Sequence, residues 1–277
     1  MTPTINWIVK TDTTIDDLLQ EAMFSESLRK KIIKENCIYC NNVLYKLNTI
    51  LKANDHIAVI LPEEETTINC IEGKLNIVYE DDYLLIVDKP NNIPVIGTRA
   101  HYDYHLSGIV ANYFKSKNLK STIHLVNRLD LETSGLVMFA KHQYIHGLFA
   151  KKDFKIKKHY YALVEGILDK KQGIIDAPIL KVGTQMKRVI DSLGQSAQTA
   201  YQVIDEKNGR SLVDIELLTG RTHQIRIHFS YINHPLVGDS LYGNSNSGVL
   251  LQSYGLYFIH PIFLTSLHFE LKCLFSV

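Results

Sequence analysis

Residues 127–136 read Asn127-Arg128-Leu129-Asp130-Leu131-Glu132-Thr133-Ser134-Gly135-Leu136, and an apolar run from Val137 to Phe139 follows at once. Apolar residues on both sides of a Thr-Ser-Gly turn predict a β-hairpin. Asp130 would then lie at the mouth of the turn, supported by strands and open to a ligand, as nucleophilic or acid–base chemistry requires. Aspartate is also common at the start of turns, and the local pattern by itself favours that simpler interpretation.

The same segment, Arg-Leu-Asp-x-x-Thr-Ser-Gly-Leu, resembles the signature of the RluA-type family of pseudouridine synthases, which modify ribosomal and transfer RNA. Three more segments resemble motifs of this family and occur in its order. They are Tyr79–Pro90, which resembles its opening strand pair, Lys158–Gly166, which resembles its Lys-x-Tyr-x-Ala strand, and Leu218–Arg226, which resembles its Gly-Arg-Thr-His-Gln-Ile-Arg block. The resemblance extends from about Glu72 to about His260 and covers most of the chain.

The resemblance implies isomerisation of uridine to pseudouridine, with Asp130, Tyr160 and Arg221 as catalytic residues. Asp130 matches the carboxylate that either attacks C1′ or takes the C2′ proton, so that the sugar passes through a glycal, and the sequence leaves both routes open. Arg221 matches an arginine that contacts this carboxylate and keeps it ionised. Tyr160 matches the tyrosine that packs against the base and is the family's candidate for removing the C5 proton. Because no group is gained or lost, we expect no cofactor.

RNA is the expected partner, either 23S-type ribosomal RNA or transfer RNA, and its target base must be flipped out of the stack. Arg128 matches a family arginine that contacts RNA near the flipped base. Residues two apart on a strand share a face, so we expect Arg128 and Asp130 to point the same way.

The formal net charge of +1 is weak evidence for an RNA partner. Basic residues nevertheless cluster in two places, and from these clusters we predict that Lys158, Arg29 and Lys30 bind RNA. The clusters are Arg29, Lys30, Lys31 and Lys34, and Lys151, Lys152, Lys155, Lys157 and Lys158. An isolated lysine run is more often a solvated surface, so RNA contact is an expectation that the charge pattern alone does not establish.

The pattern predicts an α+β fold: a catalytic domain built on a bent, mainly antiparallel mixed sheet with flanking helices, plus a small α/β N-terminal domain. We expect an N-terminal domain at residues 1–64, an acidic linker at 65–75 and the catalytic domain at 76–277. Thr14 begins a capping box for a first helix, and Leu28, Ile32 and Ile33 mark the apolar side of a second. This order resembles an S4-type RNA-binding domain, although a small helical cap on the catalytic domain is the alternative.

Composition excludes several classes of protein. No run approaches the about 18 apolar residues of a membrane helix, and the N-terminus lacks the pattern of a signal peptide. Four scattered cysteines suit a reducing compartment, so we expect a cytoplasmic protein. Cys37-x-x-Cys40 has no second cysteine pair at suitable spacing, and the four-residue spacing of His101 and His105 is weak, so we expect no metal site. A monomer is the working expectation.

The chain departs from the family pattern in three places, one of which is a short tail after His260-Pro261. Asn127 stands where histidine usually precedes Arg-Leu-Asp, which keeps hydrogen bonding but removes a titratable group. Leu251-Gln252-Ser253 stands where the family often has Leu-His-Ala. Two other functions remain open: a catalytically inactive RNA-binding or ribosome-assembly protein, and a glycoside hydrolase. The hydrolase would commonly need a second carboxylate at a set distance, for which only Glu132 is near.

Overall fold

The computed structural model describes residues 3–46, 49–97, 102–244 and 247–277. The N-terminal part holds β1 (Thr4–Ile8), α1 (Ile15–Glu21), α2 (Glu26–Lys34), β2 (Ile38–Cys40), β3 (Val43–Leu44) and β4 (His56–Ile60). In the described residues these strands form a four-stranded antiparallel sheet in the order β1-β4-β2-β3. The predicted capping box is confirmed, since the Thr14 side chain accepts a hydrogen bond from the backbone N–H of Asp17.

The rest of the chain holds the remaining strands and helices. The first half comprises β5 (Asn76–Glu80), β6 (Leu84–Lys89), α3 (Leu106–Ser116), β7 (His124–Leu125), β8 (Ser134–Ala140), α4 (Gln143–Leu148), a 3-10 helix (Lys152–Phe154) and β9 (Lys157–Glu165). The second half comprises β10 (Gln172–Asp176), β11 (Ile179–Lys181), β12 (Arg188–Ile190), β13 (Gln198–Lys207), β14 (Arg210–Leu217), α5 (Gln224–Tyr231), β15 (Leu251–Ile259) and β16 (Ser266–Glu270).

Ten of these strands, counted over the described residues, form one mixed sheet with a main order of β10-β13-β14-β9-β15-β8-β6-β5. β16 pairs with β15 and β7 pairs with β8, while β11 and β12 form a separate hairpin. The pairing is antiparallel except between β15 and β8, where Gln252 lies opposite Ser134 and Ser253 opposite Gly135. The predicted α+β class and mainly antiparallel sheet are confirmed.

The central strands β6 and β8 are buried on both faces, which explains why their sequences are continuous apolar runs rather than alternating ones. Leu136 and Met138 of β8 point to one face, and Val137 and Phe139 point to the other. The second face packs against α3 and α5 through residues such as Phe114 and Phe229. This arrangement gives the strands that flank the site a rigid support.

The first face of the large sheet shares one hydrophobic core with the N-terminal sheet and its two helices. Phe24 stacks on Tyr144 of α4 with ring centroids 3.9 Å apart, and the Tyr144 hydroxyl donates to the carbonyl of Ala22 at 2.8 Å. The segment between the sheets is also anchored, because the Glu64 carboxylate lies 2.7 Å from Nε2 of His124. The division at 1–64, 65–75 and 76–277 stays a prediction, and the structure adds that the two sheets pack as neighbours.

Candidate active site

A cavity of about 280 Å³ opens where the loop after β7 faces the segment between β14 and α5. Its size is near the lower end of the roughly 300–1,000 Å³ of small-molecule pockets, which suits a single nucleotide. Its lining includes all three predicted catalytic residues and two of the predicted RNA-binding residues: Asp130, Tyr160, Arg221, Arg128 and Lys158. The tertiary structure therefore brings together residues that lie up to 93 positions apart in sequence (221 minus 128).

The predicted hairpin exists, but its shape differs from the expectation. β7 and β8 pair as antiparallel strands, and residues 126–133 between them form a long loop rather than a tight turn. Arg128 and Asp130 are therefore not on a strand, and the prediction that they share one face of a strand is wrong. Both still line the cavity, because Leu129 between them is buried in the core.

Asn127 makes the loop leave the sheet. Its side chain is buried and replaces a partner strand: Oδ1 accepts from the N–H of Met138 at 2.8 Å, and Nδ2 donates to the carbonyl of Leu136 at 3.1 Å. The β8 backbone groups stay paired while the main chain of Arg128 to Asp130 swings towards the cavity. The residue that departed from the family pattern has a clear structural role here.

Lys89 supports the loop from below. Its side chain is fully buried, and Nζ donates to the carbonyls of Pro90, Ile93 and Leu131 at 3.0, 2.8 and 3.2 Å. Leu131 directly follows Asp130, so the ammonium holds the backbone beside the candidate carboxylate. Burial lowers the pKa of Lys89 to about 8, against the opposing effect of Asp130 and Asp88. A cation at the end of the apolar strand β6 was the sequence signal for this role.

Gly135 permits a close contact between β8 and β15. Its φ is +108°, and a Cβ at this position would lie 2.1 Å from the carbonyl oxygen of Ser253. Only glycine fits such an approach. The Ser-Gly pair of the motif thus lies at the start of β8. Its close approach to Ser253 allows β8 to pair in parallel with β15, and this pairing sets the distance between the Asp130 loop and β15.

The opposite wall of the cavity is built by α5 and held by Arg226. Its Nε and Nη2 donate to the two carboxylate oxygens of Asp239 at 2.8 and 2.7 Å, and Nη2 lies 3.2 Å from Oε2 of Glu132. Arg226 therefore ties α5 to the loop that carries Asp130.

Arg221 is not in contact with Asp130 in this structure. Its Nε donates to the carbonyl of Ser196 at 3.1 Å, and its side chain is exposed at the edge of the cavity. The expected bidentate contact between these two residues is therefore absent from the conformation described. The backbone of Arg221 is fixed, because its N–H donates to Oε1 of the buried Gln224 at 2.9 Å. The exposed side chain therefore extends from an anchored backbone.

Tyr160 lies on β9 with its ring packed among core residues and its edge at the cavity. Ala162 and Val164 on the same face of the strand are fully buried, so Tyr160 belongs to the core and to the site at once. Burial raises the pKa of the Tyr160 phenol well above its usual value, and the Asp130 carboxylate acts in the same direction. The phenol is therefore neutral in the free protein.

The predicted RNA-binding cations differ in availability. Arg128 is exposed on the rim of the cavity. Lys158 is half-buried, and its ammonium lies beside Gly220, 3.4 Å from the position that a Cβ on this glycine would take. Arg29 is engaged instead: its side chain is 14% exposed, its Nη1 donates to Gln20 at 3.0 Å and its Nε lies 3.4 Å from Asp16. Lys30 is exposed and pairs with Glu26.

His223 also lines the cavity, although it is not among the predicted site residues. Its Nε2 lies 4.0 Å from Oδ2 of Asp130. The only signal for it was its place between Arg221 and Gln224 in the fourth motif. Its partners lie elsewhere in the chain, so the sequence did not indicate them.

No cluster of three or more potential metal-ligating side chains occurs among the described residues, and His101 lies outside them. The four cysteines are free thiols. Within the described parts of the chain, every helix is too short or too polar to cross a membrane.

Comparison with known proteins identifies the family. Residues 83–231, more than half of the chain, match the RNA pseudouridylate synthase family. An uncharacterised RNA pseudouridine synthase of Bacillus subtilis, YjbO, is 35% identical over 229 residues, covering 80% of this chain and 81% of its own. The ribosomal large subunit pseudouridine synthase C of Buchnera aphidicola is 32% identical over 275 residues, covering 89% and 86%.

Among solved structures, human RNA pseudouridylate synthase domain containing 1 aligns with a TM-score of 0.59 at 24% identity, over 72% of this chain and 83% of its own, which shows a shared fold. The four motifs, the fold and the sequence matches agree. The chain belongs to the RluA-type family of RNA pseudouridine synthases, isomerases that act on uridine in RNA.

Proposed function

We propose that Asp130 is the carboxylate that acts on the ribose of the target uridine, in ribosomal RNA or, as the second choice, in transfer RNA. The observation that carries the proposal is the shared cavity: Asp130, Tyr160, Arg221 and Arg128 come from distant parts of the chain and line one space the size of a nucleotide. A catalytically inactive RNA-binding protein has no need for this convergence.

The chemistry requires that the N1–C1′ bond break, that the base turn, and that C5 bond to C1′, after which the C5 proton leaves and N1 gains a proton. Asp130 can attack C1′ or remove the C2′ proton, and both roles need an ionised carboxylate at the ribose. Its side chain is 23% exposed, towards the cavity, which suits contact with a sugar that enters from solvent.

Arg221 is proposed to leave the Ser196 carbonyl and pair with Asp130 when RNA binds. A backbone carbonyl is a neutral partner, whereas a carboxylate in a site closed from water is a charged one and binds guanidinium more strongly. The fixed backbone and exposed side chain of Arg221 make such a movement local. The pair would keep Asp130 ionised as the ribose displaces water.

Tyr160 is proposed to pack against the uracil ring. Its buried ring edge forms part of the cavity wall, and an aromatic surface suits a flipped base. The raised pKa of the phenol supports this packing role over that of an ionised base. A neutral phenol could accept the C5 proton only if it donated its hydroxyl proton to another group at the same time.

Arg128 and Lys158 are proposed to hold RNA at the rim. Arg128 would fill the space that the flipped base leaves, and Lys158 would contact a phosphate, because its ammonium lies at the cavity wall. The N-terminal part is proposed as an S4-like RNA-binding domain, in which Lys30 is available and Arg29 serves mainly to pair with Asp16. The free cysteines support a reducing, cytoplasmic setting.

The substitution Asp130→Asn tests the proposal, because it keeps the shape of the side chain and removes its charge. We expect release of the C5 proton from uridine-labelled bulk ribosomal or transfer RNA to fall to the background, while RNA binding is retained. Asp169→Asn is the matched control, since Asp169 is an exposed aspartate away from the cavity. Turnover by Asp130→Asn comparable to wild type would remove Asp130 from this role.

The target RNA is identified by mapping pseudouridine in RNA from cells that lack the gene. We expect at least one site to disappear from ribosomal RNA, and its return when the wild-type gene, but not the Asp130→Asn gene, is supplied. If pseudouridine sites disappeared only from transfer RNA, transfer RNA would be the target.

A further inference from the structure

His223 has an unusual backbone and an enclosed side chain. Its φ of +57° lies in the left-handed region, and it forms the N-cap of α5 without making a side-chain capping bond. The side chain is 11% exposed, and Nε2 faces Oδ2 of Asp130 at 4.0 Å. A strained backbone that holds a side chain at a site is often part of how the site works.

The hydrogen bonds of Tyr242 determine where the proton of His223 lies. The N–H of Arg188 donates to the Tyr242 hydroxyl at 2.8 Å and uses one of its lone pairs. The hydroxyl also lies 3.1 Å from Nδ1 of His223. Tyr242 is 7% exposed, so its own proton needs an acceptor inside the protein, and Nδ1 is the group within reach.

We propose that His223 is a positioning residue, a neutral imidazole with its proton on Nε2, which the Tyr242 hydroxyl holds in this tautomer so that Nε2–H points at the Asp130 carboxylate. The inference rests on the proposed role of Asp130. In the free protein the gap of 4.0 Å is longer than a hydrogen bond. Entry of a ribose and exclusion of water close it, and the donor then orients one carboxylate oxygen.

The surroundings keep His223 neutral. Burial lowers its pKa, and the guanidinium groups of Arg226 and Arg188 act in the same direction, while Asp130 and Asp239 oppose them. The Tyr242 ring that carries the hydroxyl is fixed in turn, with Cζ of Arg226 5.6 Å from its centre. Protonated imidazole would place an N–H against the Tyr242 hydroxyl proton and break the chain of donors.

The tautomer is measured directly in the wild-type protein. Histidine labelled with ¹⁵N gives distinct nitrogen shifts for the charged form and for the two neutral tautomers, and the His223 signals are assigned as those lost in His223→Asn. At neutral pH we expect the neutral form with the proton on Nε2. A proton on Nδ1, or a charged ring, overturns the proposal and does so without any assay of RNA modification.

Two amide substitutions separate a donor at Nε2 from a donor at Nδ1. The amide nitrogen of His223→Gln lies near the position of Nε2, and that of His223→Asn lies near Nδ1. We expect His223→Gln to keep kcat within about threefold of wild type and His223→Asn to lose about 10- to 100-fold, with KM unchanged in both. Asparagine tolerates the left-handed backbone, so His223→Asn should fold at least as well.

Tyr242→Phe completes the test, because it keeps the ring and removes the hydroxyl that sets the tautomer. We expect a mixture of His223 tautomers and a kcat about tenfold lower, against no change in Tyr231→Phe, an exposed tyrosine at the end of α5. Equal kcat in His223→Asn and His223→Gln would overturn the proposal. If Asp130→Asn remained active, the role of Asp130 would fail first, whatever tautomer is found.

Discussion

The cations that support the cavity, Arg226 and Lys89, differ from the cations at its rim, Arg221 and Arg128, in how they are engaged. The supporting cations are buried and engaged: Arg226 is 6% exposed and makes a bidentate pair with Asp239, and Lys89 is fully buried with its ammonium bound to three carbonyls. The rim cations Arg221 and Arg128 are exposed, and Arg221 has a single side-chain bond to a backbone carbonyl.

The contrast is sharpest between Arg221 and Arg226, which lie five residues apart in one motif. A buried cation paired with a buried carboxylate builds the site, whereas an exposed cation with unused donors is available to a polyanion. The motif therefore combines one arginine for architecture with one for the substrate. Substitutions on the two sides should differ in whether they change stability or RNA binding.

The largest effect on stability is expected from Arg226→Met, because it leaves the fully buried Asp239 carboxylate without its partner. Removing one member of a buried ion pair costs about 3–5 kcal/mol. Unfolding in urea measures the loss. Arg210→Met is the control, since the Arg210 and Glu165 side chains are 46% and 42% exposed and their pair contributes at most about 1 kcal/mol. Equal losses in both variants would contradict the distinction between a buried and an exposed ion pair.

A smaller effect is expected from the titration of Lys89. Its pKa falls from 10.5 to about 8 in the folded protein. The cost of burying the ammonium is therefore present in full below pH 8, and it is relieved as pH rises towards 10.5, because the folded protein loses the proton while the unfolded chain keeps it.

Lys89→Met lacks this titration, so the comparison isolates it from other groups. The free energy of unfolding of the wild type, relative to Lys89→Met, should rise by about 2 kcal/mol between about pH 7.5 and about pH 10. Denaturant melts at a series of pH values check this. A difference that does not change with pH would show that the Lys89 ammonium is not buried as described. Lys170→Met, at an exposed lysine, should show no such trend.

The smallest effect on stability is expected at the rim. Arg128→Ala and Lys158→Ala should change the free energy of unfolding by no more than about 0.5 kcal/mol. Each should nevertheless weaken RNA binding and lower the slope of log affinity against log salt by about 1 if the side chain contacts a phosphate. Fluorescence anisotropy with labelled RNA at several salt concentrations measures both quantities. An unchanged salt slope in both variants would place the RNA elsewhere.

Local patterns in the sequence were sufficient to predict the apolar strand β8 and the two N-terminal helices. The apolar run of β8, the apolar side of α2 and the cap at Thr14 can each be read from residues that are near one another in sequence. The long loop at residues 126–133 was missed because the Asn127 side chain imitates a strand partner, and propensity scales treat asparagine as a turn former.

The sequence by itself was sufficient, through motifs that resemble a known family, to predict the fold class, the family and five of the residues that line the cavity, because each motif is written in consecutive residues. Only the tertiary structure decided that Arg226 is buried in an ion pair whereas Arg221 is exposed at the cavity edge. It also decided how Lys89 holds the Asp130 loop and which ring nitrogen of His223 faces Asp130. Those outcomes depend on hydrogen bonds between groups distant in the chain. Their partners are fixed only when packing brings the groups together and excludes the water that would otherwise satisfy them.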